Sequence, residues 1–143
     1  MNIEALIQKY IAGLPASKRV DMEALHRQII QWMSPTRVWF LDGKDDKGKV
    51  IANPNIGYGQ CQLTSKSGVS RMFYQIGISS NTTGISVYVM GLEDKTYLAT
   101  HFSEAIGKAT VSGYCIKFKS LKDIHMNVLG AIIRYGVAYT SRK

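Results

Sequence analysis

The chain has 143 residues, of which 45% are hydrophobic and 20% charged, as in an ordinary soluble globular domain. No apolar run approaches the roughly 20 residues of a membrane span, and Glu4 and Lys9 interrupt the apolar pattern of the N-terminus, which excludes a secretory signal. The formal net charge of +8 comes from 18 basic residues spread along the chain, which is more typical of a solubility feature than of a nucleic-acid-binding segment.

Two helices are predicted at the N-terminus. Apolar residues recur at helical spacing over residues 3–14, and Asn2 is in position to cap this helix. Pro15 ends it, because proline lacks an N–H and restricts the residue before it. A second helix is predicted over residues 16–33. Its core-facing residues are expected to be Val20, Leu25, Ile29 and Trp32 or Met33.

Residues 38–51, VWFLDGKDDKGKVI, are predicted to form a β-hairpin around a charged turn that contains glycine. Three aspartates in this turn, Asp42, Asp45 and Asp46, suggest a cation site at first sight. Their spacing does not match the alternate-position ligands of a calcium loop, and lysines interrupt them. We therefore interpret the segment as a solvated turn.

The predicted sheet is organised around residues 69–92, VSRMFYQIGISSNTTGISVYVMGL. Apolar and polar residues alternate on both sides of a polar turn, which predicts two strands. The first strand is expected to place Met72, Tyr74, Ile76 and Ile78 on one face. A preceding strand over residues 56–64 is predicted to reach this stretch through a short hairpin loop. Both faces carry apolar or aromatic bulk, so we expect the sheet to be covered on more than one side.

The C-terminal part is predicted to contain a helix, a strand and a second helix. The first helix covers residues 92–106 and is expected to end at Gly107. The strand covers residues 112–119, and a near capping box at residues 120–123 opens the last helix. The predicted fold is therefore a single α+β domain over residues 1–143. It has an antiparallel-rich sheet of about four to six strands, two N-terminal helices, one helix before the last strand and a C-terminal helix.

No catalytic or metal-binding motif is recognisable in the chain. His26, His101 and His125 lie far from any cysteine in sequence, and no pair has the HxxxH spacing of a helical metal site. Cys61 and Cys115 are interpreted as small buried hydrophobic residues. Without a nucleophile elbow, a CxxC pair or a dinucleotide fingerprint, the sequence favours a non-enzymatic role without a cofactor.

Aromatic and basic residues are interleaved on the predicted strands. A surface containing Arg71, Phe73, Lys117 and Lys119 would suit the stacking of single-stranded nucleic acid. Amphipathic residues at the rim of a sheet are the simpler interpretation. The candidate ligand-binding residues are Tyr58, Arg71, Tyr88, Lys108 and Lys117.

Short motifs in a fixed order extend through nearly the whole chain. They are YIAGLP at residues 10–15, IGYG at 56–59, GIS at 77–79, ISVYVMG at 85–91, GK at 107–108, CI at 115–116 and KSLKDI at 119–124. In these motifs the chain resembles the YdhG-like domain family, catalogued as domain-of-unknown-function family 1801. The resemblance implies an α+β fold broadly like that of frataxin, and one branch of the family is described as a frataxin-like iron chaperone. Where relatives often carry a basic pair, this chain has Ser80, Asn81 and Thr82.

The leading hypothesis is a cytoplasmic, non-enzymatic YdhG-like domain that binds a small molecule or a protein partner through the sheet and the loop at residues 107–112. Iron or iron–sulfur delivery is an alternative that the resemblance implies. The first two helices offer only Glu4, Asp21 and Glu23, which is a low density of the oxygen ligands that iron prefers. Nucleic-acid binding is a second alternative, and an enzyme is the least supported one.

Overall fold

The computed structural model describes residues 2–141, which fold into four α-helices, a six-stranded antiparallel sheet and a two-stranded hairpin. In chain order the elements are α1 (Ile3–Ala12), α2 (Ala16–Met33), β1 (Val38–Leu41), β2 (Asn55–Tyr58), β3 (Cys61–Thr64), β4 (Ser70–Phe73), β5 (Ile76–Asn81), β6 (Gly84–Val89), α3 (Tyr97–Phe102), β7 (Thr110–Ser112), β8 (Cys115–Phe118) and α4 (Met126–Ser141). The predicted α+β class is confirmed. Met1 and residues 142–143, at the ends of the predicted domain, lie outside the described residues.

The six-stranded sheet has the strand order β1-β2-β5-β6-β8-β7, and β3 pairs with β4 beside it. Tyr58 pairs with Ile76 in the large sheet and Cys61 pairs with Phe73 in the small one, which is the same register. The strands β2–β3 and β4–β5 therefore form one long hairpin with a bend. The bend falls at Gly59, whose φ of +76° glycine adopts without strain. The predicted strand–loop–strand arrangement is confirmed here.

The hydrophobic core lies on one face of the large sheet, which we call the inner face. Ile56, Ile78 and Val87 lie side by side across β2, β5 and β6, and all three are fully buried. All four helices add buried apolar side chains to this core. The absence of a side chain at Gly136 brings α4 close to β6, because a Cβ there would lie 2.4 Å from Val89 Cγ1.

Helix α2 has the predicted ends but faces the core with partly different residues. Its buried residues are Met22, Leu25, His26 and Ile29, a stripe at helical spacing. The predictions for Leu25 and Ile29 are confirmed. The prediction for Val20 is wrong, because this residue falls outside the stripe and is 68% exposed.

The predicted hairpin over residues 38–51 is wrong in its pairing. Strand β1 pairs with β2, so that Phe40 lies opposite Ile56, and the segment after β1 contributes only one isolated bridge. Val50 at the end of that segment is 68% exposed, and its backbone pairs with Lys44 and not with a residue of β1. The interpretation of a solvated turn fits the structure. Asp45 Oδ1 accepts hydrogen bonds from two backbone N–H groups of the turn, each at 2.9 Å.

The predicted helix over residues 92–106 is shortened to α3. Asp94 holds a turn before the helix, since its Oδ1 accepts hydrogen bonds from the N–H and the hydroxyl of Thr96 at 2.9 and 2.7 Å. The helix also ends before Gly107, so the predicted role of this glycine as a helix stop is wrong. Burial of Leu98 and Ile106 nevertheless agrees with the apolar spacing in the sequence.

The predicted strand over residues 112–119 is divided into β7 and β8, which pair with each other. A turn between them contains Gly113 at a φ of +56° and Tyr114, which is 48% exposed. The expected final helix is present as α4. Ile124 is buried but precedes the helix, after a short 3-10 turn.

Both cysteines are buried and no disulfide joins them, in agreement with the sequence interpretation. Burial raises the pKa of the Cys115 thiol, while Lys117 and Ser86 act in the opposite direction. A neutral, buried thiol packs as a small hydrophobic side chain.

Candidate functional site

A surface pocket of about 620 Å³ lies where the β5–β6 turn meets the β7–β8 hairpin, and we call it the lysine pocket. The charged groups that line it are three lysines and one carboxylate, namely Lys108, Lys117, Lys119 and Asp123. The other polar side chains of the lining are those of Asn81, Thr83 and Thr110. The positive groups outnumber the negative one, so the pocket favours an anionic group.

The wall formed by the β5–β6 turn is held by Asn81. Its Oδ1 accepts hydrogen bonds from the N–H groups of Thr83 and Gly84, at 3.0 and 2.9 Å, and from the Thr83 hydroxyl. Lys18 of α2 donates to the Asn81 carbonyl and ties the turn to the helix layer. Gly84 allows close contact with β8, because a Cβ at this position would lie 2.2 Å from the Phe118 carbonyl oxygen.

The opposite wall is held by an exchange of backbone contacts around Gly107. The N–H of Lys108 donates to the Asp123 carbonyl at 2.9 Å, and the N–H of His125 donates to the Ile106 carbonyl at 2.8 Å. A Cβ on Gly107 would lie 2.6 Å from the Asp123 carbonyl oxygen, so only glycine fits between these two segments. The Gly-Lys motif thus serves to place Lys108 at the pocket rim.

The outer face of the large sheet, opposite the core, is covered by its own aromatic side chains in place of a second layer of helices. The Tyr74 ring fills the space above Gly57 and Gly77, where a Cβ on either glycine would lie 2.4 Å from a ring atom. Tyr74 was predicted to share a face with Ile76 and Ile78. That prediction is wrong, because the bend between β4 and β5 interrupts the strand alternation.

Five aromatic side chains on this outer face form a set that we call the aromatic face: Trp39, Phe73, Tyr74, Tyr88 and Tyr114. Phe73 stacks on Tyr74 with ring centroids 4.2 Å apart, and Trp39 meets Phe73 edge-on at 6.0 Å. Tyr88 and Tyr114 lie with their centroids 6.1 Å apart. These contacts form two groups of rings beside the exposed β3–β4 hairpin, and a pocket of about 230 Å³ lined by Tyr74, Tyr88 and Tyr114 lies between them.

Two arginines lie on the rings of the aromatic face. The Arg37 guanidinium is 3.9 Å from the centroid of Trp39, and that of Arg71 is 4.7 Å from the centroid of Phe73. Trp39 is itself fixed, since its indole N–H donates to the Gly59 carbonyl at 2.7 Å. Burial raises the pKa of Tyr74, while the charge of Arg71 acts in the opposite direction.

The predicted ligand-binding residues are distributed over three places. Lys108 and Lys117 meet in the lysine pocket. Tyr88 belongs to the aromatic face, and Arg71 lies over Phe73 on the same side of the sheet. Tyr58 is fully buried in the core, where its hydroxyl oxygen lies 2.7 Å from His26 Nδ1.

Sequence reasoning missed several residues of both surfaces. Asn81 and Thr83 looked like ordinary turn residues, and Trp39 and Tyr114 were assigned only to strands. The pairing partners of β1 and β8 bring them together, and these partners are not visible locally. Lys119 could have been added to the pocket from sequence, because it alternates with Lys117 along the predicted strand.

Within residues 2–141 no group of three His, Cys, Asp or Glu side chains is arranged to hold a metal ion. His26 is 2% exposed, with Tyr58 at its Nδ1 and the Glu4 carboxylate 3.4 Å from its Nε2. His101 stacks on Tyr97. The donor set of the described chain therefore does not fit a preformed iron site, and iron delivery stays an expectation drawn from the resemblance.

Comparison of the chain with protein-family models, with curated proteins and with solved structures gives no match. The YdhG-like resemblance is therefore untested by these comparisons. In the part of the chain from residue 2 to residue 141, no helix combines the length and hydropathy needed to cross a bilayer.

Proposed function

We propose that this chain is a cytoplasmic, non-enzymatic binding domain of the YdhG-like type, and that its ligand is a small molecule with a phosphate or carboxylate group. The observation that carries the proposal is the meeting of Lys108, Lys117 and Lys119 around one pocket. An ammonium group offers three donors and a full charge, which suits the oxygens of such an anion.

The shape of the lysine pocket supports a small ligand. Its volume of about 620 Å³ lies within the range of about 300 to 1,000 Å³ that is usual for small-molecule sites. Both walls are held by backbone contacts at Gly84 and Gly107, so the lysines extend from a rigid frame.

The remaining polar groups narrow the ligand class. Asn81, Thr83 and Thr110 add neutral donors and acceptors beside the lysines. The carboxylate of Asp123 repels an anion placed next to it but accepts a hydrogen bond from a hydroxyl or amine. We therefore favour a ligand with an anionic group at the lysines and a donor group toward Asp123.

Pyrophosphate is a suitable probe for the anionic part of this ligand. In NMR titrations of the full chain we expect saturable shifts of the amides of Thr83, Lys108 and Lys119. The double variant Lys108→Ala/Lys119→Ala is expected to weaken pyrophosphate binding by about tenfold or more. The free energy of one charge-assisted hydrogen bond corresponds to a change in affinity of about this size.

The matched control is the double variant Lys49→Ala/Lys66→Ala, which removes the same charge from exposed loops outside the lysine pocket. It should leave pyrophosphate affinity within about twofold, because distant surface charges are screened by salt. Equal losses in both double variants, or shifts that do not saturate, would refute a specific anion site.

A further inference from the structure

The aromatic face extends across the strands of the large sheet in one register row. Trp39 on β1 lies opposite Gly57, Gly57 opposite Gly77, and Gly77 opposite Tyr88 on β6. Tyr74 fills the place of the two glycines, and Tyr114 lies next to the following strand, β8. The result is a line of rings from β1 to the β7–β8 turn. The proposed small-anion site uses none of these rings.

These rings are held in place before any ligand arrives. Trp39 is fixed by its hydrogen bond to the Gly59 carbonyl, and Tyr74 is held between Phe73 and the glycine backbone. A ligand that stacks here loses little affinity to the ordering of protein side chains. Tyr114, 48% exposed, offers the most accessible ring, whereas Tyr74 is only 4% exposed and serves as support beneath Phe73.

Positive charge accompanies the rings on the same side of the sheet. Arg37 and Arg71 lie on Trp39 and Phe73, and Lys117 lies in the next register row, opposite Ser86. The paired residues of these two rows, from Trp39 to Cys115 and from Ser79 to Thr110, include no acidic residue. The whole chain carries a net charge of +8.

We infer that the aromatic face binds single-stranded nucleic acid, with an unpaired base stacked on the accessible ring of Tyr114 beside Tyr88, and phosphates near Arg37, Arg71 and Lys117. Aromatic rings with interspersed cations are the features that bind single strands with little sequence preference. A duplex does not fit equally well, because its bases are already stacked on one another. A second copy of this chain is disfavoured, because two faces of the same positive charge would repel.

The test uses fluorescence anisotropy of the full chain with labelled oligomers of about ten nucleotides, in single-stranded RNA, single-stranded DNA and duplex form. We expect a single strand to bind more tightly than the duplex, with an affinity that falls steeply with salt. Comparison of the RNA and DNA arms identifies which sugar the face accepts. In a Trp32→Phe background, binding should also quench the emission of Trp39.

Two pairs of variants separate stacking from charge. Tyr114→Ala should weaken binding by about tenfold, whereas Tyr114→Phe keeps the ring and should bind as the parent chain does. Arg71→Ala should lower the slope of log affinity against log salt by about one. Arg27→Ala, which removes an equally charged side chain from the exposed side of α2, should leave that slope unchanged.

The inference is overturned if duplex binds as tightly as both single strands, or if Tyr114→Ala behaves as Tyr114→Phe does. It is also overturned if no oligomer binds, or if the face proves to be a dimer contact that Tyr114→Ala dissolves in sedimentation. Lys108 and Lys119 lie outside the aromatic face. Loss of pyrophosphate binding in their double variant therefore tests the small-anion site independently of Tyr114 and Arg71.

Discussion

Tyr74 covers Gly77 so closely that a Cβ on this glycine would lie 2.4 Å from the ring carbon Cε1 and 2.7 Å from the hydroxyl oxygen. Gly57 pairs with Gly77, and a Cβ on Gly57 would lie 2.4 Å from Cδ2, at the opposite edge of the same ring. The outer face of the sheet thus depends on two glycines that leave room for one tyrosine.

Gly77→Ala is expected to destabilise the chain by about 1 to 3 kcal/mol, because the added methyl overpacks a site with no free space. The Tyr74 ring must also leave its position, so binding of single-stranded nucleic acid should weaken. Urea unfolding measures the first effect and oligomer anisotropy the second.

Gly13→Ala is the matched control for that substitution. Gly13 has an ordinary φ of −83°, and a Cβ there would have its nearest neighbours at 3.6 Å. We expect unchanged or slightly increased stability, because the change mainly restricts the unfolded chain. If Gly77→Ala lowers the free energy of unfolding no more than Gly13→Ala does, the close fit of Tyr74 over the glycine pair is wrong.

Tyr58→Phe tests the polar contact inside the core. The Tyr58 hydroxyl lies 2.7 Å from Nδ1 of His26, and both side chains are almost fully buried. Removal of the hydroxyl leaves the imidazole nitrogen without its buried partner, which should cost about 1 to 3 kcal/mol at pH 7. Urea unfolding of the two chains provides the measurement, and equal midpoints would contradict the assigned contact.

The same tyrosine predicts a pH dependence. Burial raises the pKa of Tyr58 well above its usual value, and the charge of Glu4 acts in the same direction. Above about pH 10 the unfolded chain loses this proton while the folded chain keeps it, so the unfolded state binds fewer protons. Its contribution to stability is complete below about pH 10 and is lost as the pH rises further.

The slope of stability against pH between pH 10 and 11 should therefore be less steep in Tyr58→Phe. The difference is up to about 1.4 kcal/mol per pH unit, which corresponds to one proton. Unfolding free energies at several alkaline pH values provide the measurement. Parallel slopes in the two chains would show that Tyr58 does not titrate differently on folding.

Thr140→Val tests the contact between the last turn of α4 and the bend of the long hairpin. Gln75, 6% exposed, donates from Nε2 to Thr140 Oγ1 at 2.8 Å. Valine keeps the shape but removes the acceptor, so we expect a loss of about 1 kcal/mol and faster amide exchange in the last turn of α4.

Thr140→Ser keeps the hydroxyl and serves as the control. The side-chain amide of Gln75 should retain its NMR shift in the serine variant and change in the valine variant. An unchanged Gln75 signal in Thr140→Val would contradict the hydrogen bond.

The helical part of the fold was largely readable from the sequence, because its determinants are local. Asn2 caps α1 as predicted, with its side chain accepting from the N–H of Ala5 at 2.8 Å. Pro15 separates α1 from α2, and the apolar spacing indicated which side of α1 is buried. Val20 was wrongly predicted to face the core, because the apolar residues of α2 form no continuous stripe in the sequence. The polar residue His26 completes the buried side of the helix.

The candidate surfaces depended on tertiary structure. The sequence identified Lys108 and Lys117 as candidates, but a loop and a strand separate them, and only the packing of Gly107 against Asp123 brings Lys108 to the same pocket. Tyr58 was also a candidate ligand-binding residue in the sequence, but in the structure it is buried in the core.

The α+β class, the start of α1, both ends of α2 and the long hairpin could be predicted from sequence, since each follows from residues close together in the chain. Three features required the folded chain: the strand that pairs with β1, the residues that meet in the lysine pocket and the side of the sheet on which Tyr74 lies. Side chains alternate with a period of two along a strand, so one irregularity at the bend moved Tyr74 to the outer face. The pairings of β1 with β2 and of β6 with β8 depend on contacts between segments that are distant in the chain, and the local spacing of residues does not reveal them.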